Sequence, residues 1–129
     1  MDGANGELDA AVRAALATDE TIDITTTGRR SGRPQRIEIW FRRVGERIFI
    51  TGTPGRRDWY ANLAAEPTFT FHLKESTRAD LAAEARLVVD GDERRAVFGH
   101  PSMRWYVEQV ETIDDLVDGS PLVEVSFRP

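Results

Sequence analysis

Along much of the chain apolar residues recur at every second position, the period of a strand with one face buried. Ile37, Ile39 and Phe41 alternate with Glu38, Trp40 and Arg42, which predicts a half-buried strand from Arg36 to Val44. Phe69, Phe71 and Leu73 alternate with Thr68, Thr70, His72 and Lys74, and Val123, Val125 and Phe127 alternate with Glu124 and Ser126 in a closing strand. Thr21 to Thr27 is β-branched at nearly every position and meets Gly28, so a strand running into a turn is expected there. Val44-Gly45-Glu46, followed by Ile48, Phe49 and Ile50, predicts a hairpin with a tight turn. A strand from Leu81 to Val89, its alternation weakened by alanines and closed by Asp90-Gly91-Asp92, brings the tally to six.

Elsewhere the period changes. Leu8, Val12, Ala15 and Leu16 stand at helical spacing, so Glu7 to Ala17 reads as a short amphipathic helix bracing the domain. After the loop residues Gly52-Thr53-Pro54-Gly55, Trp59 and Leu63 are four apart, Asp58 is placed to cap, and Pro67 disfavours helix at Glu66. A two-turn helix from Asp58 to Glu66 follows. Glu93 to Val110 is helical in composition but broken by Gly99-His100-Pro101, which makes two helices. Antiparallel hairpins with helices set apart argue against a doubly wound sheet. The expected class is α+β, mainly β: a small barrel of about six antiparallel strands with short helices, whose closure removes the sheet edges.

At 129 residues and 14.5 kDa the chain is the size of one domain, expected across 1–129. Its apolar fraction is 40 %, enough for a core. No stretch approaches the roughly 18 apolar residues of a membrane span, and Met1 to Glu7 is polar and acidic, so a cytoplasmic protein with no integral membrane segment is expected. With no cysteine, thiolate metal sites and cysteine nucleophiles are excluded, and two histidines leave little room for an imidazole metal site. No metal is expected.

Charge is distributed unevenly. Between Arg29 and Arg57 nine arginines face two acids, Glu38 and Glu46, so this window carries +7 while the whole chain carries −5. A net-acidic protein with one arginine-dense segment is a poor nucleic-acid binder, because the body repels the phosphate backbone. A small polyanion suits it better.

Two stretches can carry chemistry. In Thr25-Thr26-Thr27-Gly28-Arg29-Arg30-Ser31-Gly32-Arg33-Pro34, backbone N–H groups can converge on one point with guanidinium forks around it, as a phosphate requires. The bland reading is a hairpin loop with solvated arginines. In Gly52-Thr53-Pro54-Gly55-Arg56-Arg57-Asp58-Trp59-Tyr60-Ala61-Asn62-Leu63, a glycine loop meets a helix start, where free N–H groups and the dipole favour an anion. Trp59 and Leu63 there also read as core.

Together, in order and about 25 residues apart, these stretches resemble the deazaflavin-dependent nitroreductase family, in Thr26-Thr27-Gly28-Arg29-Arg30-Ser31-Gly32-Arg33-Pro34 and Trp59-Tyr60-Ala61-Asn62-Leu63-Ala64-Ala65-Glu66-Pro67. The resemblance covers roughly Ile22 to Lys74. It implies a split β-barrel related to flavin-reductase and pyridoxine-phosphate-oxidase barrels, and binding of coenzyme F420, an 8-hydroxy-5-deazaflavin with a phosphodiester and an oligoglutamate tail. Carried over by position, Arg29, Arg30, Ser31 and Gly32 would hold the phosphate and tail. Thr51, Gly52, Thr53, Arg56 and Arg57 would wrap the ring and ribityl chain, and Trp59 and Asn62 would support that wall. The family's arginine after the proline falls on Gln35, with Arg36 one place later as the candidate. Acceptor-side donors come in this family from the helical region before the last strand, which offers Trp105 and Tyr106, and Tyr106 is the candidate catalytic donor. The bland reading makes Trp105 core and Tyr106 surface.

The activity implied is hydride delivery from F420H2 to a quinone, nitro compound or enone, a small-molecule electron acceptor. FMN is the alternative cofactor, though one phosphate without a tail needs fewer arginines. A noncatalytic deazaflavin, flavin or lipid carrier is the rival class. A homodimer is the assembly with which small split barrels often complete a cofactor groove. His72 reads as a sheet-surface residue, His100 as a loop residue, and Asp114-Asp115 with Glu108 and Glu111 as a solvated face.

Overall fold

The computed structural model describes residues 9–128. Helix α1 (Ala10–Thr18) begins at Asp9, whose carboxylate accepts the Val12 N–H at 2.9 Å. Glu7 and Leu8, assigned to this helix by spacing, lie outside the described residues. The strands are β1 (Thr21–Thr27), β2 (Pro34–Val44), β3 (Arg47–Thr51), β4 (Thr68–Leu73), β5 (Ala79–Leu87) and β6 (Leu122–Phe127). They close into one antiparallel barrel in the order β1-β2-β3-β6-β5-β4. This is the split-barrel architecture. Helix α2 (Asp58–Ala65) stands between β3 and β4; α3 (Gly91–Phe98), a 3-10 turn (Pro101–Met103), α4 (Arg104–Val107) and α5 (Ile113–Gly119) stand between β5 and β6.

Strand alternation divides the apolar residues into two cores. Ile22, Ile24, Phe41, Ile48, Ile50 and Phe71 fill the barrel, closed by Leu16 of α1 and by Trp59 and Leu63 of α2. Phe49 points the other way, and Phe98, Met103, Tyr106, Leu116 and Leu122 pack around it in a second core under the helices. Arg94 ties that layer down by donating to the carbonyls of Val88, Leu116, Val117 and Ser120. Outside it, Arg47 and Arg86 bridge Glu93 and Glu124 across β3, β5, β6 and α3.

Several expectations need correction. β2 starts at Pro34 rather than Arg36, and β5 covers Ala79–Leu87 rather than Leu81 to Val89, because its pairing with β4 begins at Ala79 opposite Leu73. The N-cap of α2 is Arg57, in extended backbone and making no side-chain cap, while Asp58 is the first helical residue. His72 does face away from the barrel core but is not a surface residue: only 7 % exposed, it lies between Thr25 Oγ1 and Asp80 Oδ1, each at 2.7 Å. His100 caps the 3-10 turn through Nδ1, which accepts from the Ser102 N–H at 3.1 Å. Asp114 and Asp115 belong to α5, which the apolar spacing does not announce; Thr112 and Asp115 form a capping box at its start.

Candidate functional site

The split in the barrel follows from unequal strand lengths. β2 pairs with β1 from Pro34 to Trp40 but with β3 only from Phe41 to Val44. On leaving Thr51 the chain turns into the glycine loop instead of continuing beside β2, so the Pro34–Trp40 stretch has an open edge. The Phe41 N–H donates to Glu20 O on the β1 side at 2.9 Å. By backbone alternation, the N–H and C=O groups of Arg36, Glu38 and Trp40 then point to the open edge. Ile37 and Trp40 are exposed along it.

At one end of this edge lies a recess of 220 Å³ lined by Gly28, Arg29, Arg30, Ser31, Gln35, Asp58 and Asn62. The loop above it is closed by Gly28 N–H to Arg33 O and Gly32 N–H to Gly28 O, both 2.8 Å, with Ser31 Oγ accepting from the Arg33 N–H at 3.1 Å. A Cβ on Gly28 would stand 2.7 Å from Ser31 Oγ and 3.2 Å from Arg33 O, so this close approach requires glycine. Gly32 has φ +71° and lines a neighbouring groove with Thr25 to Thr27 and Thr68 to Thr70.

Asn62 explains why the two motifs belong together. Its Oδ1 accepts from the Arg29 N–H at 3.1 Å and from Arg29 Nη1 at 2.9 Å, and its Nδ2 donates to Thr26 Oγ1 at 3.1 Å. The buried side chain thus fastens the Thr26-to-Gly32 loop to α2 and aims Arg29, which also meets Asp58 at 3.3 Å. Arg30 has no carboxylate partner among the described residues, so its charge is uncommitted. Trp59 is in the barrel core and supports the wall only from behind.

The other end is a cavity of 290 Å³ between Glu38, Ile39 and Trp40 of β2, Thr51, Gly52 and Thr53, and Trp105 and Tyr106 of α4. Thr51 Oγ1 donates to Pro121 O at 2.5 Å. The glycine loop is wound around Arg57, whose Nη2 donates to Thr53 O at 2.9 Å and Thr53 Oγ1 at 3.1 Å. Cβ atoms at Gly52 or Gly55 would come within 3.1 Å of that guanidinium. Arg57 is therefore the loop's internal brace, whereas Arg56 lines a different cavity. Arg36 is also apart from the recess: it bonds Asp23 at 3.0 Å, and the recess receives Gln35.

The aromatic side chains before the last strand are placed opposite to the bland expectation. Trp105 is 43 % exposed, edge-on to Trp40 at 5.2 Å between centroids, whereas Tyr106 is buried in the second core. Packing explains the reversal, since Tyr106 faces the helical core and Trp105 faces β2. Arg42 lies over Trp40 at 5.1 Å and over the Tyr106 ring at 5.4 Å. Burial raises the Tyr106 hydroxyl above the ordinary phenol range, the Arg42 charge opposing it. No described residue bonds that hydroxyl. Trp40 and Arg42 thus join the site without being singled out by the motifs; the period-two alternation that puts them on one face of β2 is the available signal. Among the described residues no cluster of three or more potential metal ligands exists, and no helix is long and apolar enough to cross a membrane.

Residues 4–114 match the family model described as F420H(2)-dependent quinone reductase. Similar solved structures include an F420-H2 dependent reductase at 20% identity, covering 84% of this chain and 95% of that one with a TM-score of 0.55. A Clostridium acetobutylicum protein of the pyridoxinephosphate oxidase family, related to general stress protein 26, matches at 10% identity over 90% of this chain and 79% of its own, TM-score 0.61. A structure described as a domain-swapped dimer matches at 20% identity over 84% and 81%, TM-score 0.55.

Proposed function

We propose that this chain, which belongs to the F420H2-dependent quinone reductase family, reduces a quinone, nitro or enone acceptor in the cleft between β2 and the glycine loop. The observation that carries this reading is the pair of unlike cavities at the two ends of one open strand edge, cationic at Arg29 to Ser31 and aromatic at Trp40, Trp105 and Tyr106. The cleft fits F420 by its donor set. An uncommitted Arg30, an aimed Arg29 and Gln35 suit an anionic phosphodiester and tail, and the apolar edge of Ile37 and Ile39 suits a flat ring.

When bound, F420H2 supplies the hydride. Arg29, Arg30 and Ser31 hold the phosphate and tail, with Asn62 fixing Arg29 and Gly28 permitting the loop. Thr51 to Thr53, braced by Arg57, wall the ring side. Tyr106 keeps its proton at neutral pH and donates a hydrogen bond to the acceptor oxygen as negative charge develops there. The exposed Trp40 and Trp105, packed edge to face, are the surface a second copy would cover, as a homodimer.

Stopped-flow oxidation of F420H2 by menadione, a nitroarene and cyclohexenone tests the activity. Turnover with at least one acceptor is expected. Cofactor binding with no oxidation of F420H2 by any of them would replace this reading with that of a noncatalytic carrier.

A further inference from the structure

A cavity of 720 Å³, larger than either end of the cleft, lies on the far side of the glycine loop. Gly52 and Thr53 line the cleft; Gly55 and Arg56 line this second space, so the loop is a partition with two faces. It is pinned where Gly55 N–H donates to Gly119 O at 3.1 Å and where Pro54 packs on Gly119, leaving 3.3 Å to any added Cβ. The opposite walls come from Tyr60, Val89, Val117 and Pro121.

Its polar groups are few and specific. Arg94 is spent on four carbonyls and only builds the wall. Arg56 has no carboxylate partner among the described residues, which leaves one free cation. Asp118 in the same lining opposes a second negative charge on any ligand. Ser120, also in the lining, is 5 % exposed, and its Oγ has no hydrogen-bond partner. That oxygen is closed off from the open space, so Ser120 shapes the wall rather than meeting a ligand. Val89, by contrast, is 76 % exposed, an apolar side chain waiting for a cover.

We propose that this cavity is a second ligand site, taking a compact monoanionic aryl carboxylate. The carboxylate pairs with the Arg56 guanidinium, and the ring packs against Tyr60, Val89, Val117 and Pro121. The volume lies within the range of small-molecule sites, roughly 300 to 1,000 Å³. A ligand there holds the far face of the partition and so favours the loop arrangement that lines the cleft. By linkage it raises F420 affinity, and F420 raises its own. This coupling rests on the cleft being the F420 site; the binding itself does not.

The test is a titration of the isotopically labelled chain with 1-naphthoate, followed through backbone amide resonances. Saturable shifts are expected at Val89, Gly91, Gly119 and Ser120, with 1-naphthylmethanol binding at least about tenfold more weakly. Arg56→Gln should weaken naphthoate by a similar factor, and Arg30→Gln should leave it unchanged. Absence of saturable shifts up to 10 mM, equal affinity for the alcohol, or normal binding by Arg56→Gln would overturn the site. If naphthoate binds and F420 affinity stays constant, the coupling is rejected and the site stands. If F420 fails to bind altogether, the cleft reading falls, and the naphthoate titration alone decides this one.

Discussion

Replacing Asn62 by alanine should loosen the protein and the recess proposed for the cofactor together. The side chain makes two bonds to Arg29 and one to Thr26 from a buried position. Each neutral bond contributes about 1 kcal/mol net, and the charge-assisted one about 1.5 to 3 kcal/mol. The lower end applies to the latter because the Arg29 side chain is 30% exposed and solvent screens it. The loss is then about 3 to 4 kcal/mol, a large part of the roughly 5 to 15 kcal/mol of a typical domain. In this size range it corresponds to a fall in Tm on the order of 10 to 15 °C. Urea unfolding gives the free energy and F420 fluorescence titration gives the affinity, which should also drop because Arg29 is no longer aimed. Asn62→Asp keeps both acceptor bonds to Arg29 and loses only the donor to Thr26, so it should recover most of both. A cycle with Arg29→Ala should show coupling above about 1 kcal/mol. An Asn62→Ala protein within about 0.5 kcal/mol of wild type, or additive behaviour with Arg29→Ala, would refute the view that Asn62 joins the two motifs.

Gly28→Ala should weaken F420 binding at least about tenfold in the same titration, since the new Cβ would sit 2.7 Å from Ser31 Oγ and the loop must shift; unchanged affinity would show that the loop does not shape the recess. Tyr106→Phe should lower steady-state turnover with quinone and nitro acceptors while leaving F420 affinity unchanged, and wild-type rates would reject the hydroxyl as donor. The carboxyl of Glu93 is held down to about 2 by Arg86 and Arg47, so its contribution to stability is full above the ordinary carboxylate range and is lost as pH falls from about 5 towards 2. Thermal unfolding across that interval should show a steeper acid loss in wild type than in Glu93→Gln, and parallel curves would show that the Arg47–Arg86–Glu93–Glu124 ion pairs contribute no acid-sensitive stability. F420 affinity should rise with glutamate tail length and fall with salt, since exposed ion pairs are screened over about 8 to 10 Å; a tail-less fragment binding equally well at every salt concentration would make the arginines a solvated face.

The barrel was legible because its strands obey a local rule. Alternation at Ile37 to Phe41 and Phe69 to Leu73 reports burial directly, and β-branching marks Thr21 to Thr27. Helix α5 was harder, because Leu116 and Val117 are its buried pair and its start is signalled only by the Thr112–Asp115 capping box. The alternation of β2 also conceals that Ile37 has no neighbour to cover it, since the gap arises from where β3 stops, a non-local fact. The recess residues Arg29, Arg30, Ser31 and Asn62 were visible as motifs, and three-dimensional packing divides the rest of the arginine window: Arg57 into its own loop, Arg36 onto Asp23, and Arg56 towards a separate cavity. Charge density along a chain does not say which cations remain free.

The most direct measurement is a fluorescence titration of F420 and of FMN into the wild-type protein and into Arg30→Ala, at low and at physiological salt. If the recess at Arg29 to Ser31 holds the phosphate and tail, F420 binds more tightly than FMN. Arg30→Ala then weakens F420 by about tenfold or more, as the loss of one charge-assisted contact of roughly 1.5 to 3 kcal/mol requires. Equal affinities for the two cofactors, or normal F420 binding by Arg30→Ala, would contradict it.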